Sequence, residues 1–184
     1  MTNGKILAIF VGKPKTYDVA RTKDRVWTTS IFKELVTGPV WLSDRNLDGD
    51  QQADMSVHGS PDQAVNIYSA DHYSYWKSEL DNPDFGYGAF GENFVVEGFT
   101  EDTVCIGDTY QVGEAVVQVS QPRGPCWKIS ERWGIKTLTA KVARTGYTGW
   151  YVRVLQPGDV EAGNIMKLLE RPHPEFSITE ANRR

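Results

Sequence analysis

The residues best suited to chemistry lie in one segment, Gln121-Pro122-Arg123-Gly124-Pro125-Cys126-Trp127-Lys128-Ile129. Residues 115–120 before it are apolar and β-branched, which predicts a buried strand. The two prolines must end that strand because they have no N–H to donate to a neighbouring strand. Residues 126–133 then have the spacing of a short helix. We therefore expect Cys126 in the first helical turn, where unpaired N–H groups favour a thiolate.

The neighbours of this thiol favour a chemical role. Arg123 adds a positive charge, and Gly124 permits unusual backbone angles in the turn. A thiolate in this setting is a nucleophile or a soft metal ligand. The alternative is a buried cysteine that acts as a small hydrophobic residue, and this is our interpretation of Cys105, which lies between Val104 and Ile106.

Polar residues in other motifs could complete a site. Lys33 follows the extended segment 26–32, and its alternative interpretation is a solvated surface lysine. His58 lies in a glycine turn, and its alternative interpretation is a structural histidine. The cations available to hold an anion are Lys33, His58, Arg123 and Arg144. Asn93, at the edge of a glycine loop, is a further polar candidate. A soft metal carried by an anionic cofactor would suit this combination.

The sequence lacks the complete motifs of some other chemistries and leaves one of them open. Zinc deamination requires H-x-E and P-C-x-x-C, and neither motif is complete here. Cys-His nucleophilic catalysis stays open, because His58 or His72 could approach Cys126 in space. Residues 86–91 match G-x-G-x-x-G, but a strand-like segment follows them instead of a helix, so we interpret this match as accidental.

Composition and length restrict the class of protein. The chain has 184 residues, 40% of them hydrophobic and 24% charged, which predicts one globular unit. It has no apolar run near the ~20 residues that cross a bilayer and no secretory signal, so we expect no membrane role and a cytoplasmic location. The net charge of −4 argues against a nucleic-acid partner.

The periodicity predicts a mainly β fold, a β-barrel or curved sheet with a few short helices at its rim. Strands are predicted at residues 6–11, 26–32, 39–42, 64–68, 93–96, 108–112, 115–120, 150–155 and 165–169, and loops at 15–25 and 43–54. Helices are predicted at residues 69–80, 126–133 and 137–147, and the aromatic stripe of the first is interpreted as core.

The last residues of the chain contain a helix-start signal, but the segment after it is too short to form a stable helix alone. Ser177-Ile178-Thr179-Glu180 is a capping box with four residues after it, and isolated helices this short are marginal in water. We therefore expect a barrel domain at residues 1–172, with 173–184 as the start of a truncated C-terminal helical segment. The tail after Pro172 is expected to be mobile, or ordered only by a neighbouring chain.

Several motifs in order resemble the MOSC-domain family, in particular proteins of the YiiM type. The matching segments are Thr29-Ser30-Ile31-Phe32-Lys33, Asn46-Leu47-Asp48-Gly49-Asp50-Gln51-Gln52-Ala53-Asp54, Val57-His58-Gly59-Ser60-Pro61-Asp62-Gln63-Ala64-Val65, Phe90-Gly91-Glu92-Asn93, Val119-Ser120-Gln121-Pro122-Arg123-Gly124-Pro125-Cys126 and Thr145-Gly146-Tyr147-Thr148-Gly149-Trp150-Tyr151-Val152-Arg153-Val154. Ser60 departs from the family pattern, which usually has a second glycine after His-Gly.

The resemblance implies a MOSC-type β-barrel that binds the molybdenum cofactor (Mo-molybdopterin), with Cys126 as the molybdenum ligand. Its pocket motifs contain Lys33, His58, Asn93 and Arg123, to which we add Arg144 from its charge. The cations would hold the cofactor phosphate, and Asn93 would orient cofactor or substrate.

The implied activity is reduction of N-hydroxylated compounds such as N-hydroxylaminopurine-like bases, hydroxylamines and amidoximes. Electrons would come from a separate flavoprotein reductase, and the family is linked to resistance to N-hydroxylated base analogues. Two alternatives remain. One is a sulfur carrier with a persulfide on Cys126, and the other is a module that binds or stores the molybdenum cofactor.

Overall fold

The structure, a computed structural model, describes residues 3–18, 26–54 and 59–184. The strands are β1 (Asn3–Val11), β2 (Lys15–Asp18), β3 (Val26–Thr29), β4 (Glu34–Leu35), β5 (Val40–Leu42), β6 (Val65–Ser69), β7 (Phe94–Glu97), β8 (Thr109–Val112), β9 (Ala115–Pro122), β10 (Trp150–Gln156), β11 (Gly158–Val160) and β12 (Ile165–Glu170). The helices are α1 (Tyr73–Glu79), α2 (Trp127–Trp133), α3 (Leu138–Thr145) and α4 (Ile178–Asn182), with 3-10 turns at Pro61–Gln63 and Ala70–His72. No helix within these described ranges is long and apolar enough to cross a membrane.

Seven strands close into a barrel, which confirms the predicted fold class. Around the barrel the order is β12, β8, β9, β10, β6, β7 and β1, and β12 pairs back onto β1. Neighbouring strands are antiparallel except β6 and β7, which are parallel. The interior is filled by side chains that have no solvent exposure, among them Phe94, Trp150 and Met166. Closure pairs the strand edges, and the buried interior provides the hydrophobic free energy.

A second, aromatic core lies where the short helices cover the barrel. Its members include Tyr68 of β6, Trp76 of α1 and Phe90 of the loop before β7. The Trp76 indole N–H donates to the Tyr68 hydroxyl over 2.7 Å, which satisfies a polar group that burial would otherwise penalise. The aromatic stripe of α1 is therefore core, as its spacing predicts.

One predicted loop contains a strand, and the glycine loop leads into a strand as predicted. The polar segment predicted as a loop at residues 15–25 contains β2, which forms a hairpin with β3. An exposed two-stranded ribbon needs little apolar alternation, and Tyr17 supplies its packing by lying 4.5 Å, centroid to centroid, from the Phe32 ring. The glycine loop at residues 86–91 leads into β7, and it holds an internal carboxylate: the Phe90 N–H donates to Glu92 over 3.0 Å.

The end of the chain packs on the barrel, contrary to our expectation of a mobile tail. Ile178 has no solvent exposure and belongs to the barrel core. Its N–H donates to the Val104 carbonyl over 2.9 Å, and the Ile106 N–H donates to the Phe176 carbonyl over 2.9 Å. The Ser177 hydroxyl accepts from the Glu180 N–H, as the capping box predicts. Packing and pairing thus supply the free energy that an isolated turn lacks.

Candidate functional site

A polar cleft opens beside Cys126, at the start of α2. About 740 Å³ of its space is not filled by protein atoms, a volume that includes open solvent at the mouth. Its walls are formed by Thr29, Ser30, Ile31, Lys33, Asp50, Gln52, Ala53, Gln63, Asn66, Gly91, Asn93, Arg123, Gly124, Cys126, Lys128 and Tyr151. Motifs that lie far apart in sequence therefore meet at one thiol.

Cys126 is the N-cap residue of α2, one position before the first turn where we had expected it. Its backbone is extended, at φ −113° and ψ 136°, and helical geometry begins only at Trp127. The Cys126 carbonyl accepts from the Ile129 N–H over 3.2 Å and from the Thr139 hydroxyl over 3.2 Å. Its thiol makes no capping bond to the helix. The backbone is thus fixed from two sides while the partly buried sulfur faces the cleft.

Two cationic side chains line the cleft close to Cys126 in sequence. The Arg123 N–H donates to the Gly149 carbonyl over 3.1 Å, and its guanidinium donates to the Phe90 carbonyl. Lys128 lies in the first turn of α2 and also lines the cleft. Our sequence interpretation missed Lys128, although its place two residues after Cys126 was the available signal. These two cations give the cleft its capacity for an anion.

Lys33 reaches the cleft but is paired with a buried acid. Its ammonium donates to Asp50, and the two side chains are 8% and 4% exposed. Burial lowers the pKa of Lys33 from its ordinary value, while the Asp50 charge opposes that shift. Asp50 was missed because it looked like one more polar residue of the 43–54 loop. The Lys33 charge is therefore largely neutralised within the protein.

Asn93 connects the parts of this wall. Its side-chain N–H donates to the Phe10 carbonyl over 3.1 Å and to Asp50 Oδ2 over 3.0 Å. Its Oδ1 accepts from the Asn66 N–H over 3.1 Å. Asn93 is thus a positioning residue for Asp50 and Asn66, and its direct contact with cofactor or substrate stays a prediction.

The remaining predicted residues are not in the described cleft. Arg144 lies on α3, is 70% exposed and lies 3.7 Å from Glu79, beside a different cavity; its charge was the only reason to include it. His72 is also remote, because its Nε2 lies 2.6 Å from Glu101 and its ring stacks on Tyr147. His72 is therefore not a base for Cys126. His58 lies outside the described residues.

Three polar atoms in the cleft walls are buried without a hydrogen-bond partner among the described residues. They are Ser30 Oγ, Gln63 Oε1 and Asn66 Oδ1. Buried polar atoms are nearly always paired, since each one left unpaired costs about 1–3 kcal/mol. A ligand with hydrogen-bonding groups is one possible source of the missing partners.

The fold and site define a class: a closed β-barrel whose rim holds an available thiol in a polar, cation-bearing cleft. The model of the MOSC domain matches residues 54–167. The chain belongs to the MOSC domain family, which confirms the resemblance drawn from the motifs.

Two similar proteins and one solved structure, that of a YiiM protein, support this assignment. The "Uncharacterized protein YflK" of Bacillus subtilis (strain 168) is 45% identical over 178 residues, which are 97% of this chain and 79% of that protein. A protein named "Reductase" from Gibberella moniliformis is 40% identical over 85% of this chain, but the match spans only 28% of its own length. The crystal structure of YiiM from Geobacillus stearothermophilus superposes with a TM-score of 0.80 at 38% identity, covering 98% of this chain and 82% of that one.

The cleft residues fit the cofactor with which MOSC domains are generally associated. Molybdopterin carries a phosphate, a pterin ring with N–H donors and its own sulfur ligands for molybdenum. The cations Arg123 and Lys128 match the phosphate, and the three unpartnered atoms match the N–H groups. Within the described ranges no three His, Cys, Asp or Glu side chains form a metal-ligand cluster. A single thiol is a suitable additional ligand for a metal that the sulfur atoms of the cofactor already bind.

Proposed function

We propose that this chain binds the molybdenum cofactor in the cleft and reduces N-hydroxylated compounds in the cytoplasm. A separate flavoprotein reductase would supply the electrons. The observation that carries this proposal is the position of Cys126, whose thiol lies in the cleft that also contains Arg123, Lys128 and the unpartnered polar atoms. The name of the "Reductase" relative supports redox chemistry in general.

The bound, reduced cofactor would accept the oxygen atom of the N–OH group and donate two electrons. Overall, an N–OH compound with two electrons and two protons gives the N–H compound and water. The Cys126 sulfur would bind the metal as a thiolate at the N-terminus of α2. Arg123 and Lys128 would hold the phosphate, and the paired Lys33 and Asp50 would keep the wall rigid without adding net charge.

Substrate would approach through a second groove that meets the cleft at Cys126. This groove is lined by Gln121, Trp127 and Tyr151, among others. Trp127 is 56% exposed and lies 5.4 Å, centroid to centroid, from the Trp27 ring, which supports it from behind. An exposed, supported indole next to the thiol suits planar substrates such as N-hydroxylated bases.

Replacement of Cys126 by Ser tests the ligand role. Protein made in a molybdenum-replete host should lose its molybdenum and its N-hydroxy reductase activity in Cys126→Ser, with an unchanged circular dichroism spectrum. Cys105→Ser is the control, since Cys105 is buried outside the cleft and its pKa is raised by burial. Equal molybdenum in Cys126→Ser and the parent would refute the assignment.

The same preparations separate the two alternatives. Sulfane sulfur on Cys126 without molybdenum would indicate a sulfur carrier. Stoichiometric molybdenum without turnover, with either a flavoprotein or a small chemical reductant, would indicate a binding or storage module.

A further inference from the structure

We propose that Asn66, Gln63 and Ser30 form an acceptor wall, a hydrogen-bonding surface for the N–H edge of an aminated heterocycle. This rests on the proposed function, because the heterocycle is either the pterin of the cofactor or an amino-bearing N-hydroxylated base. Both present ring N–H and amino donors on one planar edge. The shared chemistry is recognition of N–H donors by side-chain oxygens.

The concentration of unpartnered atoms in this one place carries the inference. Outside the cleft the described residues contain only two such atoms, Trp150 Nε1 and Arg153 Nε, and the second lies 2.9 Å from Asp62 in an ion pair. Asn66 is only 6% exposed, so water in the open mouth reaches it poorly. A protein that keeps three unpaired polar atoms along one cleft loses stability unless a ligand uses them.

The wall is held rigidly by the backbone. Asn66 lies in β6, where its N–H donates to Asn93 Oδ1 over 3.1 Å and its carbonyl accepts from the Asn93 N–H over 2.8 Å. On the other side of the strand ladder, Asn66 pairs with Tyr151 of β10. The backbone of Asn66 is therefore fixed on both sides of β6, where the residue lines the cleft and its Oδ1 has no partner.

Separate elements bring the other two members. Gln63 ends a 3-10 turn, where its N–H donates to the Ser60 carbonyl over 2.9 Å. Ser30 follows Thr29, whose hydroxyl accepts from the Ile31 N–H over 3.2 Å. Three elements with their own hydrogen bonds thus place polar atoms in one cleft.

The chemistry of the wall differs from that of the cations. Amide oxygens accept hydrogen bonds and repel an anion, whereas Arg123 and Lys128 attract one. The cleft therefore has a part for an anionic group and a part for an N–H edge. A ligand that combines both groups uses the whole cleft, while a simple anion leaves the acceptor wall unpaired.

Asn66→Leu is the decisive variant, because leucine has a similar volume and no polar atom. Without ligand, the variant should be at least as stable as the parent, since an unpaired buried amide has been removed. When produced in a molybdenum-replete host, it should retain about tenfold less molybdenum and pterin, the factor that corresponds to about 1.4 kcal/mol. Gln118→Leu is the matched control, since Gln118 bonds Thr109 and does not line the cleft.

Two further measurements identify the source of the N–H edge. If Asn66→Leu keeps its molybdenum and pterin but its KM rises for an amino-bearing N-hydroxylated base and not for an amino-free hydroxylamine, the wall takes the substrate. Thermal shift of ligand-free protein with 2,6-diaminopurine and with unsubstituted purine tests the wall directly. The parent should be stabilised more by the diamino compound, and Asn66→Leu should lose that difference.

The outcomes also separate this inference from the proposed function. A parent without molybdenum or pterin would refute the proposed function, while preference for diaminopurine would still support the wall. Unchanged cofactor content, unchanged KM values and an unchanged diaminopurine preference in Asn66→Leu would overturn the acceptor wall, whatever the cofactor.

Discussion

At the scale of single residues, one carboxylate organises the deepest part of the cleft. Asp50 accepts from the Gly12 N–H over 2.8 Å, from the Asn93 amide over 3.0 Å and from the Lys33 ammonium. Burial of both charges costs solvation free energy, which their attraction offsets only while both are present. The pair therefore fixes geometry more than it adds stability.

Asp50→Asn should destabilise the ligand-free protein by about 3–5 kcal/mol near neutral pH, because it leaves the Lys33 ammonium buried without its counter-charge. The loss should shrink as pH rises. Burial lowers the folded-state pKa of Lys33, so the unfolded chain binds more protons between that lowered pKa and the ordinary value of 10.5, and stability increases with pH there. Urea titrations from pH 7 to 10 measure the slope.

A double variant is the control for this prediction. Lys33→Met combined with Asp50→Asn removes both charges and should recover most of the lost stability, with a flatter pH dependence. A double variant as unstable as Asp50→Asn alone would mean that the hydrogen bonds to Gly12 and Asn93, and not the charge pair, dominate.

Arg123, Lys33 and Asn93 were singled out from the sequence, and all three line the cleft. Lys128, Asp50 and Asn66 also line it and were missed. Arg123 and Cys126 stand three positions apart, so a turn prediction brings both to one place. Asp50 and Asn66 form hydrogen bonds with Lys33 and Asn93, and such contacts depend on the tertiary packing of loops and strands that are far apart in sequence. Arg144 was included for its charge, but charge does not specify which face of a helix meets which cleft.

At the scale of elements, two glycines near the site have different requirements. Gly91 has φ +73°, and a Cβ there would lie 2.7 Å from Ile31 Cγ1. Gly124 has no heavy atom within 4 Å of an added Cβ, and its φ lies outside the left-handed region. Gly124 therefore does not use the left-handed backbone conformation that a glycine permits.

Gly91→Ala should lower the free energy of unfolding by about 1–3 kcal/mol, since it combines left-handed strain with a collision. Gly124→Ala is its partner and should be neutral or stabilising by about 0.4–1 kcal/mol, because alanine restricts the unfolded chain. Urea denaturation of the two ligand-free variants decides between them. Equal losses would contradict the backbone assignment.

The strands of the barrel were predicted from the sequence, but the short strands β2, β4 and β11 outside the seven-stranded barrel were missed. The barrel strands carry β-branched or alternating apolar residues, which predict strands in any context. β2 was missed because it is stabilised from outside its own sequence, by pairing with β3 and by the contact of Tyr17 with Phe32. The sequence pattern within residues 15–18 does not indicate such a partner.

At the scale of the whole molecule, the last residues belong to the barrel. Besides the pairing of residues 176–178 with the segment before β8, the Thr179 N–H donates to the Glu101 carbonyl over 3.0 Å. The Asn182 amide donates to the Thr148 hydroxyl over 3.0 Å. Both partners lie in loops, so the tail ties together segments that the barrel ladder does not join. The sequence showed the cap but not this docking, which depends on tertiary contacts.

Ile178→Ala should therefore destabilise the ligand-free protein by about 2–5 kcal/mol, the cost of a large-to-small change in a core that relaxes only in part. The physical reason is that Ile178 has no exposure and shares its cluster with barrel residues such as Val117 and Val119 of β9. Glu175→Ala, at an exposed position of the same tail, is the control and should change stability by less than about 0.5 kcal/mol.

Urea unfolding followed by tryptophan fluorescence measures both variants, because Trp150 reports on the barrel interior. A loss of that size in a single cooperative transition would mean that tail and barrel unfold together. A local transition, with the barrel midpoint unchanged, would show instead that the tail is an independent appendage.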